Sequence, residues 1–160
     1  MQEAVNELAG SFPSWTEFVR VVSRLTAALL VGALIGYQRE RVGKAAGLRT
    51  HMLVALGTSL FVIGVVEFGM GEDAVSRVIQ GLATGIGFLG AGSILKIEDN
   101  EEIRGLTTAS GIWMTAAASV AIGLGLIGIG FLAGGLAWIV LSVFHRLQPK
   151  QIDGPPHGNG

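Results

Sequence analysis

The sequence predicts an all-α integral membrane protein, a bundle of about five transmembrane helices. Half of the 160 residues are hydrophobic and only 14% are charged, whereas soluble domains carry about 25% charged residues. Glycine is abundant, with 25 residues, against a usual share of ~7%. The run Leu106–Phe144 holds no charged residue. As one helix it would extend about 58 Å at ~1.5 Å per residue, far beyond the ~30 Å hydrocarbon thickness of a bilayer, so it must fold back on itself. A soluble all-α bundle would need a polar face on each helix, and the last three apolar runs lack one.

The elements follow in order. Residues 1–16 form a polar N-terminal arm containing Pro13. Glu3, Glu7 and Glu17 precede the first basic residue, Arg20, the reverse of a secretory leader, so no cleaved leader is expected. The transmembrane domain covers 17–146. Span one is Val21–Tyr37, with Arg24 near its start and able to snorkel to the surface. A basic segment, Tyr37–His51, leads to span two, Met52–Val66, with Glu67 near its far end. Span three is Val78–Leu95, followed by the acidic connection Lys96–Gly105. Spans four and five are Leu106–Leu124 and Ile127–Phe144, with the reversal expected in the glycine-rich stretch Gly123–Gly130. Residues 147–160 read as a disordered tail, rich in Gly and Pro.

Charge placement orients the bundle. With the 37–51 loop in the cytoplasm, Arg39, Arg41, Lys44, Arg49, Lys96, Arg104, Arg146 and Lys150 share that side, while Arg20, Arg24 and Arg77 lie opposite. The positive-inside bias puts the N-terminus outside and the C-terminus in the cytoplasm. The chain lacks Cys and has a net charge of −1, which excludes disulfides and thiolate metal sites and gives no pull toward nucleic acid. A weak internal echo appears on sliding the chain by 58 positions, which brings Gly32-Ala33 onto Gly90-Ala91 and "GLRT" onto "GLTT". It suggests two parallel helix-pair repeats, spans one-two and three-four.

Several residues are candidates for function. Arg39, Glu40 and Arg41 end span one, and Arg49, Thr50 and His51 start span two, where free backbone N–H groups favour anions. Arg104, Thr107 and Thr108 start span four on the same side. Together these nine form a candidate polar cluster, in which Glu40 could ligate a metal. "GIGFLG" at 85–90 has the spacing of a dinucleotide loop, yet lies inside an apolar run without the required strand. Gly81, Gly85, Gly87, Gly90 and Gly92 are instead expected to pack span three against its neighbours, or to break the helix and expose carbonyls to an ion. Gln80, Thr84 and Ser93 could line a hydrated path, and Trp113 is deep enough to pack inside. No nucleophile–base–acid set appears, so an enzyme is not expected.

Three stretches, "LIGYQRERVGKAAGLRTHMLVALGTSLF", "GIGFLGAGSIL" and "IRGLTTASGIWMTAAASVAIGLG", together resemble the membrane domain of the MgtC/SapB family. The resemblance covers about residues 20–145, and the family's recurring polar positions fall on the nine cluster residues. It implies a bacterial inner-membrane protein of magnesium homeostasis and virulence type. It further implies a regulator of another membrane complex, with ATP synthase the favoured partner; the alternative is a transporter or channel for magnesium or another ion. Many members carry a soluble C-terminal domain, and this chain is expected to be a short form without it. The expected partners are membrane lipid and a second copy in a homodimer, with Mg2+ the one candidate cofactor.

Overall fold

The computed structural model describes residues 14–97 and 102–147, and each of its first four helices starts where the backbone leaves a non-helical cap. Helix α1 spans Trp15–Arg41. Ser14 caps it, its Oγ accepting from Glu17 N at 3.2 Å, and Glu17 in the first turn complements the helix dipole. Helix α2 is Leu48–Glu67 and α3 is Glu72–Gly92, the latter with two acids in its first turn. A short antiparallel hairpin follows, β1 Leu95–Ile97 and β2 Glu102–Arg104, with Leu95 opposite Arg104. Gly105, at φ 97°, turns the chain into α4, Leu106–Gly123. Gly125, at φ 91°, makes the reversal into α5, Ile127–Leu147.

Five helices are therefore present among the described residues. Four are long and apolar enough to cross a membrane, and α5 contains a shorter apolar stretch, Ile127–Val143. The reversal is tighter than the expected Gly123–Gly130, because one left-handed residue suffices and Gly128 and Gly130 continue into α5. The acidic connection contributes two short strands. Residues 1–13, 98–101 and 148–160, which include most of the expected arm and tail, lie outside the described residues.

The core lies among α1, α2, α4 and α5. Ala27, Ala28, Val31 and Ile35 of α1 meet Ala55, Ala118 and Ile122, with Ala133, Ala137 and Leu141 of α5 packed on them. Small residues set the spacing. A methyl added at Gly32 would lie 2.7 Å from the His51 carbonyl oxygen, and one at Gly36 would lie 2.8 Å from Leu48 Cα. Similar approaches occur at Gly123, 2.7 Å from Val62 Cβ, and at Gly134, 2.8 Å from Val31 Cγ1. In lipid, where apolar burial drives no association, such close backbone approach supplies the packing energy.

Helix α3 lies outside this core, against α2 and α4. This corrects the expected role of its glycines. Gly81, Gly85, Gly87 and Gly92 face open space within the chain, and only Gly90 packs, 3.6 Å from Ala109 Cβ. The close crossings involve α1, α2, α4 and α5, so the glycines that matter to the core are theirs. The "GIGFLG" stretch is unbroken helix, which also removes the proposed ion-binding break. The 58-residue echo has a spatial counterpart: Gly32 approaches His51, and Gly90 approaches Ala109, each pair displaced by the same interval.

Candidate functional site

The ends of α1 and the starts of α2 and α4 meet at one end of the bundle, here the basic end. Arg39 is buried, 3% exposed, and its Nη2 donates to Thr108 Oγ1 at 2.7 Å. Its Nε finds no acceptor among the described residues. Glu40 turns the other way. Its Oε2 accepts from Leu48 N at 2.8 Å, capping α2 across the connecting loop. Gly47 permits this, since a methyl there would lie 2.8 Å from the same oxygen. The anion-binding start expected at Arg49–His51 is thus already served by the chain's own carboxylate.

His51 is fully buried on the inner face of α2. Its Nδ1 lies 2.7 Å from Thr115 Oγ1. The Thr115 hydroxyl donates to Gly111 O at 2.9 Å, so it accepts from His51, which places the imidazole proton on Nδ1. Nε2 makes no direct hydrogen bond among the described residues, and the Ala46 backbone faces the ring. The sequence reading missed what continues from here. Ser119 donates to Thr115 O at 2.8 Å, and Ser59 donates to Ser119 O at 2.8 Å. Thr58, Ser59, Thr115 and Ser119 are all buried. A polar seam therefore runs between α2 and α4, with Arg39 and Thr108 at its basic end. Thr108, Thr115 and Ser119 share one face of α4 together with Gly111, a spacing readable in the sequence.

The other cluster members lie outside the seam. Arg41 is exposed and stacks over the Tyr37 ring at 5.6 Å. Arg49, Arg104 and Thr107 are exposed, and Thr50 is half-buried. Among the described residues Glu40 is the one carboxylate of the cluster, whereas Mg2+ favours a near-octahedral oxygen set with carboxylate help. Glu40 already holds an amide, and no group of three His, Asp or Glu converges among the described residues.

At the far end, Arg24 Nη1 lies 3.3 Å from Glu67 Oε1 and donates to Gly123 O at 3.2 Å. Arg20 Nε lies 3.7 Å from the same carboxylate oxygen. Arg24 thus binds α1, α2 and the end of α4 together instead of snorkelling free. The expected path residues sit elsewhere. Gln80 and Thr84 are exposed on α3, where Thr84 donates to Gln80 O at 3.0 Å, and Ser93 donates to Gly90 O at 2.7 Å. Trp113 is 52% exposed, against the expectation that it packs inside. It lines a largely apolar groove of about 700 Å³ between α3, α4 and α5, with Gly87, Gly90, Ile94, Ser110 and Val140 among the other lining residues.

The sequence pattern of the MgtC family matches residues 25–150. The chain is 44% identical to SrpB of Synechococcus elongatus over 137 residues, covering 78% of this chain and 75% of SrpB. It is 42% identical over 135 residues to YhiD of Escherichia coli K12, provisionally named a magnesium transporter, covering 79% of this chain and 61% of YhiD. It is 41% identical over 113 residues to MgtC of Brucella abortus, covering 71% of this chain and 46% of that protein. The match thus spans about half to three quarters of the length of these relatives. No solved structure matches.

Proposed function

Because this chain belongs to the MgtC family, we propose that it is a magnesium-related membrane protein that acts by contact with another membrane complex, not by conducting ions. The carrying observation is the construction of the seam. The hydroxyl protons of Ser59, Thr115 and Ser119 all end on backbone carbonyls, which cannot pass a proton on. The helices around the seam approach too closely for added methyl groups at Gly32, Gly36 and Gly123. Such an interior suits a rigid, dry bundle. The surfaces this reading assigns to a partner are the outer face of α3 and the groove beside Trp113.

The positive-inside rule supports a cytoplasmic basic end, and family membership supports a bacterial inner membrane as its location. ATP synthase is the first complex to test. ATP-driven proton pumping in inverted vesicles should fall when the protein is present, and unchanged pumping would count against this partner. Ion transport is the second reading, favoured by the polar seam that leads from the basic end toward the Arg24–Glu67 cluster. Magnesium leak from loaded liposomes separates the two. Contact regulation predicts the same leak with and without protein, and a protein-dependent flux would favour transport.

A further inference from the structure

We propose that the N-terminus of α4, together with Arg39, binds a phosphate group at the basic end of the bundle. The inference goes beyond the contact reading and does not depend on which complex the protein meets.

Two helix starts lie side by side here, and they are treated oppositely. The start of α2 receives a carboxylate, Glu40, on Leu48 N. The start of α4 has Gly105 at its cap with no side-chain hydrogen bond and no acid in its first turn. The Ser93 carbonyl oxygen packs against Gly105, and beyond it the first turn carries the partial positive charge of a helix N-terminus. Against that positive end the chain places a cation. Arg39 reaches the first turn of α4 at Thr108, is 3% exposed, and leaves Nε unpartnered. No acid among the described residues pairs with it. A buried, unpaired guanidinium is costly, and a helix N-terminus beside it adds to the cost. One anion resolves both.

The donors suit a tetrahedral oxyanion better than a small halide. They comprise the fork of a guanidinium, the amides of Leu106 and Thr107, and the Thr108 hydroxyl, which accepts from Arg39 and keeps its proton to donate. Leu106 and Thr107 are exposed, so the position opens at the end of the bundle. A lipid headgroup and a free phosphate share this chemistry, and the experiment separates them.

The test compares wild type, Arg39→Gln, Thr108→Val and Lys44→Gln, a control that changes an exposed loop cation. One arm titrates purified protein in detergent with inorganic phosphate and follows binding by calorimetry. The other measures retained phosphatidylglycerol by native mass spectrometry after delipidation and re-addition. The expected result is binding in at least one arm, weakened at least tenfold by Arg39→Gln, several-fold by Thr108→Val, and unchanged by Lys44→Gln. Binding of inorganic phosphate identifies a free-phosphate site; binding of the lipid alone identifies a headgroup site. Should Arg39→Gln fail to fold, Thr108→Val carries the comparison. Absence of binding in both arms, or equal binding by every variant that folds, would overturn the proposal.

Discussion

At the scale of single residues, small hydroxyls and absent side chains decide more than the charges do. Thr115→Val keeps the shape of the site but leaves a buried imidazole N–H without an acceptor. It should cost about 1–3 kcal/mol, read as a fall in thermal stability in detergent. Gly32→Ala should cost a similar amount, about 1–3 kcal/mol by overpacking, because its methyl would meet the backbone of α2. Gly81→Ala, facing open space, should leave the melting temperature of the single chain unchanged or slightly raised. Equal losses for the two glycine variants would contradict the packing described for α3. The charged residues at the basic end were legible in sequence because each interrupts an apolar run. Thr115, Ser59 and Ser119 were not, because a hydroxyl that satisfies itself on a preceding carbonyl can sit in an apolar run unnoticed. Only their periodicity on α4 marks a buried face.

At the scale of elements, α4 and α5 start where spans four and five are expected, whereas α1 and α3 each begin six residues before the expected spans, on polar first turns that apolar length does not mark. The five helices, the basic turn and the reversal near Gly125 all follow from apolar length and glycine placement. The relation of α3 to the others was not legible. Its small residues have the same composition as those of α1, and composition does not say which glycine row meets a neighbour. The cap on α2 gives a prediction at this scale. Glu40→Gln weakens the acceptor on Leu48 N and removes negative charge from a helix start, so it should cost about 0.5–2 kcal/mol. Added Mg2+ should not restore the loss, and a melting temperature recovered by Mg2+ would return Glu40 to the role of metal ligand.

At the scale of the whole molecule, α1, α2, α4 and α5 form the packed body of the described residues and α3 leans on it. Along its apolar window α3 is only 6% buried, against 50% for α4. Sparse burial lowers the free energy of local opening, so backbone amides of α3 should exchange hydrogen faster than those of α1, α2 and α4 in detergent. Uniform protection across all five helices would show that α3 is held by something besides its own chain. Helix α1 is pinned near both ends, by Arg24 to Glu67 and Gly123 and by Arg39 to Thr108, while α3 carries neither pin. What α3 does have is the short hairpin joining its last turn, through Leu95 opposite Arg104, to the first residue of α4. A load on the outer surface of α3 would therefore act as on a lever, with the Gly90–Ala109 contact as fulcrum and the amides at the head of α4 at the end of the short arm.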